Sequence, residues 1–441
     1  ARRRGEYTTP RRLTQEPPMN ITTASTQLEN GIRTAFTAEK IGAHIIKITR
    51  GPRTLTAALR LYEPDVKTLA RVARMGQSIE ARAGVSPVRV TSQAGIVYIE
   101  APSPEPLTIY GAEMRGHGLA VPMGLSTLRS VAGVDFEQDS HLLFVAPTNG
   151  GKTTGMRAVA YHLAQQHTPR QARFIISTFK PADWQGLAQA AHCGGLITDI
   201  AETVQMIDWL AQTMYKRTTA MTSTPRLFVF LDDLLNILSR APELSKPLAD
   251  IASLGRGAGI HLIIGTQRLG KQGTGDAAVS GNITARVIFR TVSAQDAALF
   301  TGRGDTGAES LGDQPGDAIL ITTPGGVQRI AIGLITDHDL ASLPQGGGTR
   351  PWQNGTHTGT TSGIPAEQTV AVASAPAAPA STGILRLPYR PPTPAEEMIL
   401  VSAYQRKGSK NKALSAIYEQ GKTPKTLDWL NQALRKVGIQ Q

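Results

Sequence analysis

Residues 146–153 read Ala-Pro-Thr-Asn-Gly-Gly-Lys-Thr, directly after the apolar run His141–Val145 and directly before a helical pattern. These residue types, in this order, suit an anion. Gly150 and Gly151 let backbone N–H groups close on phosphate oxygens with no Cβ in the way. Lys152 supplies a cation for the outer phosphates, Thr153 an oxygen for a divalent metal, and the following helix aims its N-terminal dipole at the same place. The expected nucleotide contacts are Ala146, Pro147, Thr148, Asn149, Gly150, Gly151, Lys152, Thr153 and Thr154, with Ala146 standing where such loops usually begin with glycine. Some eighty residues on, Arg226-Leu-Phe-Val-Phe-Leu-Asp232-Asp233 is an apolar strand ending in paired acids. Asp232 is expected to share Mg²⁺ with Thr153, and Asp233 to orient an attacking water. The next apolar strand, His261–Gly265, runs into Thr266 and Gln267, and Gln267 is the expected sensor of the γ-phosphate of ATP. Ahead of that strand, Arg256 lies in a glycine-rich loop and is the candidate finger for a neighbouring subunit's ATP.

The elements that must position these residues are legible as alternation. From about Gly116 to Leu343, apolar runs at His141–Val145, Arg173–Ser177, Arg226–Leu231, His261–Gly265, Arg286–Phe289 and Asp317–Ile321 alternate with helical segments. Short, continuously apolar strands between helices predict an α/β fold with a mainly parallel, doubly wound sheet covered on both faces. In such a sheet ligands gather at the carboxyl ends of the strands, which is where the glycine-rich loop, the paired acids and Gln267 all fall. The wider division expected is a basic N-terminal tail over 1–29, a small α+β domain over 30–110, the ATPase domain over 111–344, a linker over 345–388 and a helical module over 389–441. The small domain is read from β-rich Ala43–Tyr62, helical Asp65–Ala83 and a strand from Val88 to Glu100; the linker from its Gly, Thr, Ala and Pro content.

Composition narrows the class. The 441 residues are 40% hydrophobic and 18% charged, with no uninterrupted apolar run of the ~18 residues a membrane helix needs. The single cysteine, Cys193, allows no intramolecular disulfide, and a cytoplasmic setting is expected. The first residue is Ala rather than Met, which leaves a preceding segment, a membrane anchor included, open. Of the net charge of +12, ten charges lie at the ends: Arg2, Arg3, Arg4, Arg11 and Arg12 against Glu6, and eight Lys/Arg against two acids over 401–441. Basic ends on a nearly neutral body point to a polyanion. In the C-terminal module Ser409–Tyr418 is a predicted helix and Thr423, followed by Pro424, caps a second. Leu427, Leu430 and Leu434 should face that module's core, leaving Lys422, Lys425 and Thr426 for double-stranded DNA in a helix-turn-helix reading.

The phrases HLLFVAPTNGGKTT, LFVFLDDLLNIL, GRGAGIHLIIGTQR and GNITARVIFRTVSAQDAALFTGRGDTGAESLGDQPGDAILIT, in that order, resemble the FtsK/SpoIIIE family of DNA translocases, within the wider FtsK/HerA group of hexameric ATPases. The resemblance covers about residues 110–335. It implies a RecA-like P-loop core, a smaller domain stacked as a second ring layer, and a C-terminal winged-helix DNA-reading module. It further implies ATP and Mg²⁺ as cofactors, a homohexamer pumping double-stranded DNA, and the roles given above for Lys152, Thr153, Asp232, Gln267 and Arg256. Three departures stand out. Asp233 replaces the usual Glu, Ala146 replaces the first glycine, and Ser177-Thr-Phe-Lys180-Pro keeps only the lysine of the family's Asp-Pro-Lys. Two alternatives stay open at this point: a conjugative coupling or DNA-packaging ATPase, and an ATP-switched, non-translocating partition or replication factor.

Overall fold

The computed structural model of the chain describes residues 20–267, 279, 281–304, 306–312, 314–348 and 350–353, with parts of 392–436. It divides into two units, residues 1–358 and 359–441. In the first unit a small domain comprises α1 (Asn20–Ala38), β1 (Ala43–Arg50), β2 (Thr54–Leu61), α2 (Val66–Ala73), α3 (Gly76–Ala83), β3 (Arg89–Gln93) and β4 (Ile96–Pro102). Its strands form an antiparallel sheet in the order β1-β2-β4-β3. The tail expected over 1–29 gives way at Asn20 to α1; Arg2, Arg3, Arg4, Arg11 and Arg12 lie outside the described residues. A Thr-rich segment with Gly31 at its centre is a weak helix former. Packing overrides that weakness, because Leu28, Ile32, Ala35 and Phe36 form one apolar stripe in the small domain's core. Gly31 is needed there: a Cβ on it would lie 2.4 Å from the Ala83 Cβ on α3.

The larger domain follows as β5 (Ala120–Ser126), β6 (Val131–Asp135), β7 (Leu142–Val145), α4 (Lys152–Gln166), β8 (Ala172–Ser177), α5 (Gln185–Ala188), β9 (Cys193–Ile197), α6 (Ile200–Ala220), β10 (Arg226–Asp232), α7 (Leu234–Arg240), α8 (Ser245–Leu254), β11 (Ile260–Thr266), β12 (Ala285–Phe289), α9 (Ala294–Thr301), β13 (Asp317–Thr322), β14 (Gly326–Ile332) and α10 (Asp337–Ala341). One ten-stranded sheet results, in the order β6-β5-β14-β13-β12-β7-β11-β10-β8-β9. From β12 to β9 every pairing is parallel; from β12 through β13, β14, β5 and β6 every pairing is antiparallel. The central strands β7, β8, β10 and β11 are buried at nearly every position because both faces are covered. Phe144, Phe174, Phe228 and Ile263 point to the face packed by α4, while Val145, Ile175, Val229 and Ile264 point to the face packed by α6, α7 and α8. Period-two alternation thus sorts one apolar run into two cores.

The first described residues of the linker expected over 345–388 are tied to the sheet. Residues 344–348 and 350–353 lie along β9, the outermost parallel strand: Ala191 N donates to Pro344 O (2.7 Å), Gly348 N to Cys193 O (2.9 Å) and the Arg350 guanidinium to Leu196 O (3.0 Å). Arg350 and the Trp352 indole N–H both reach Glu202 on α6, each at 2.9 Å.

Small domain and sheet are joined by buried charge. Arg329 on β14 binds Asp317 on β13 through two nitrogens, at 2.9 and 2.6 Å, and Glu100 on β4 at 3.2 Å. Arg89 on β3 donates to the same Glu100 oxygen (2.9 Å) and to Thr306 O (2.7 Å). Burial pushes the Glu100 carboxyl upward, yet Arg89 and Arg329 more than offset this and hold it below the usual range. Burial likewise opposes charge on Arg329, but Asp317 and then Glu100 hold its pKa above the ordinary value.

Three buried imidazoles are kept neutral by burial: His141 and His162 fall to about 4 and His261 to about 3. In the unfolded chain the same groups take up protons near pH 6.5. Their contribution to stability is therefore complete above pH 6.5 and is lost as pH falls toward 4, by up to ~1.4 kcal/mol per pH unit for each histidine. The urea midpoint should drop steeply between pH 7 and pH 5. His141 Nδ1 accepts from Leu262 N (2.9 Å), a bond that asparagine can preserve. His141→Asn should therefore flatten the pH dependence, and an unchanged slope would remove this account.

In the second unit, helices α11 (Lys410–Ile417) and α12 (Pro424–Lys436) share an apolar core with Leu400 and Val401. Thr423 caps α12, its Oγ1 accepting from Thr426 N at 3.2 Å. The expected faces need one correction. Thr426 is fully buried with Leu430, Ala433 and Leu434, and its hydroxyl donates to Thr423 O, so it cannot serve as a DNA contact. Lys425 is exposed, and Lys422 lies outside the described residues.

Candidate active site

β7 ends in the middle of the parallel strands, and the loop 147–151 turns from it into α4, which begins at Lys152. The turn needs two left-handed residues: Asn149 at φ 64° and Gly151 at φ 107°. Asparagine tolerates this region and glycine is at home in it. A side chain at Gly151 would also be crowded, its Cβ standing 3.1 Å from Gly316 N. Ala146 is buried beneath the loop and keeps a negative φ, so a methyl group is accommodated where glycine is usual.

β10 and β11 flank this loop on one side and end level with it. Together they bring Asp232, Asp233 and Gln267 into a cavity of about 420 Å³ shared with Pro147, Thr148, Asn149, Gly150, Gly151, Lys152, Thr153 and Thr154. The Lys152 Nζ lies 2.8 Å from Asp232 Oδ1. The other oxygen of Asp232 accepts from the Trp184 indole N–H (3.1 Å) and the Thr178 hydroxyl (3.3 Å), so a carboxylate only 3% exposed is held in one orientation. Asp233 sits at φ 72°, ψ 60°, at the start of α7. Its Oδ2 accepts from the Asn236 side chain while its Oδ1 is buried without a partner. A strained backbone and an unmatched acceptor at the mouth of a cavity are costs that stability alone does not explain.

Thus the structure brings together all the sequence-derived site residues of the loop except buried Ala146, together with Asp232, Asp233 and Gln267. It does not bring Arg256 to them. Arg256 lies at the opposite end of β11, exposed, with its guanidinium donating to Glu137 O at 2.6 Å. Several lining or supporting residues escaped the sequence reading. Trp184 and Thr178 orient Asp232; Arg157, ion-paired with Asp337, and Asp183 line the cavity. Pro315 reaches it from the segment before β13. A tryptophan spent on a carboxylate has the same sequence signature as one spent on packing, so Trp184 carried no signal. Lys180 lines the cavity too, its backbone N–H donating to the Thr178 hydroxyl (3.0 Å).

Among known proteins, a model of the FtsK/SpoIIIE family matches residues 112–226. A "DNA translocase FtsK" of Helicobacter pylori (strain ATCC 700392 / 26695) is 26% identical over 340 residues, spanning 69% of this chain and 39% of the relative. An "ESX secretion system protein EccC" of Thermomonospora curvata is 23% identical over 339 residues, spanning 67% of this chain and 25% of the relative. The chain thus spans well under half the length of either. Among solved structures, the pCW3 conjugation coupling protein TcpA, in monomer form with ATPγS, is similar with a TM-score of 0.49 and 15% identity over 72% of this chain and 96% of that one.

Proposed function

Starting from residues 112–226 as a P-loop ATPase domain of the FtsK/SpoIIIE family, we propose that the chain hydrolyses ATP to move double-stranded DNA through a ring of six copies. The observation that carries the reading is the Lys152–Asp232 pair at the carboxyl ends of parallel strands, with the Asp233 oxygen unmatched beside it. Without nucleotide, Lys152 neutralises Asp232. ATP phosphates arriving on the N–H groups of the loop compete for the Lys152 ammonium and release the carboxylate for a cation. Thr153 and Asp232 line the same cavity, an oxygen pair that fits Mg²⁺. When bound, Mg²⁺ would neutralise charge developing on the phosphate oxygens. Asp233 holds the attacking water at its free oxygen, and Gln267 reads the γ-phosphate from the end of β11. Arg256, exposed in the turn that precedes β11, is offered to the nucleotide of the next copy.

A motor that grips phosphates is insensitive to sequence, so any DNA preference belongs to the second unit. There the α11–α12 pair acts as a helix-turn-helix with Lys425 at its DNA face, and Lys422 is the other candidate contact. A cytoplasmic site of action follows from the ATP it consumes.

The reading is tested by the ATPase rate with and without long duplex DNA. Stimulation by duplex DNA is the expected result. Tight ATP binding with no turnover would instead favour an ATP-switched assembly factor, and turnover indifferent to DNA would point to a polypeptide cargo.

A further inference from the structure

Pro315, in the wall of the nucleotide cavity, belongs to a segment held from two sides. On one side Gly316 N donates to Gly150 O of the phosphate loop at 3.3 Å, and the glycine at 151 lets the two backbones meet. On the other side stands Arg53, from the β1–β2 turn of the small domain. Its Nη1 donates to Gln314 Oε1 and its Nη2 to Pro315 O, both at 3.1 Å.

These contacts are poor glue. Both acceptors are neutral, and Arg53 Nε is buried with no hydrogen-bond partner, an unmatched donor that costs free energy. The small domain is already fastened by the Arg329, Glu100, Arg89 and Asp317 cluster. What Arg53 adds is a fixed position for the Gln314–Gly316 segment, and that segment bears directly on Gly150.

We propose that Arg53 is a positioning residue for nucleotide binding: from the small domain it sets the Gln314–Gly316 segment against the phosphate loop, so that docking of the small domain tunes the loop's affinity for ATP. The proposal rests on the ATPase reading above. It makes the nucleotide site a product of both domains, although none of its phosphate-binding residues comes from the smaller one.

The test is calorimetric binding of ATPγS to the full chain, together with KM and kcat for ATP and the thermal midpoint. Arg53→Ala should raise Kd and KM about 10-fold, the scale of one lost charged hydrogen bond, with kcat within about two-fold of wild type. Gln314→Ala should raise Kd less, and the double variant should be no worse than Arg53→Ala, because both act through one segment. Arg53→Lys, which reaches one acceptor, should fall between. Arg33→Ala, on the exposed face of α1 where Arg33 pairs with Glu29, should leave Kd unchanged. A lowered thermal midpoint with wild-type Kd would make Arg53 simple glue and overturn the proposal. If Arg53→Ala does not fold, wild-type Kd in Arg53→Lys overturns it equally. Failure of the wild type to bind ATPγS would instead strike the ATPase reading itself.

Discussion

Lys152→Ala should reduce ATP turnover to background, a loss of about 1,000-fold or more, since it removes the cation aimed at the transferring phosphate. Asp232→Asn should lose turnover to a similar degree for a different reason, and nucleotide affinity separates the two. Thr178 and Trp184 both donate to one Asp232 oxygen, so an asparagine at 232 is forced to present its amide oxygen to them. Its NH₂ group then faces the Lys152 ammonium 2.8 Å from where the second oxygen stood. Lys152 is thereby set free for phosphate. ATPγS should bind Asp232→Asn about as well as wild type, while Lys152→Ala should bind it weakly. Equal weakening in both variants would mean that the Lys152–Asp232 pair does not exchange partners when nucleotide arrives.

The largest loss of stability should follow Arg329→Met, at about 3–5 kcal/mol. Arg329 is 2% exposed in its side chain and satisfies Asp317 through two bonds and Glu100 through a third. Without it Asp317 loses its ion pair and Glu100 keeps Arg89, both carboxylates almost wholly buried. Denaturant unfolding measures the loss. A neutral partner should recover part of it: Arg329→Met with Asp317→Asn should be more stable than Arg329→Met alone, since the asparagine needs no counter-charge. If the double variant is no better, the cost of Arg329→Met is lost packing rather than stranded charge.

The candidate site was far more legible in the sequence than its supports were. Strands buried on both faces write themselves as unbroken apolar runs, so β7, β8, β10, β11, β12 and β13 were visible, and the loop and acids at their ends followed from them. β5 is equally buried, but Pro122 and Gly124 interrupt it where a bulge bends the strand, and β9 carries two glycines in five residues. Neither reads as a strand. α1 was hidden by its threonines, because its helix is a product of the core it packs against. Thr426 was misplaced by phase: with Leu427 as anchor it falls on the outer face, whereas the helix is centred on Leu430 and Ala433, one residue round. The Arg89, Glu100, Asp317 and Arg329 cluster draws on four strands of two domains, and no spacing in one dimension could announce it.

The segment laid along β9 has a bearing on the sheet's behaviour toward other molecules. An outermost strand presents a row of open amide and carbonyl groups, a template on which a second polypeptide can add itself and spread. Here the chain's own return path occupies that row: Cys193 and Leu196 carbonyls are taken by Gly348 and Arg350, and Trp352 closes the end against α6. A ten-stranded sheet cut back to residue 344 would keep its phosphate loop and its acids, yet would carry an uncovered, adhesive margin, so its failing would be loss of solubility rather than loss of chemistry.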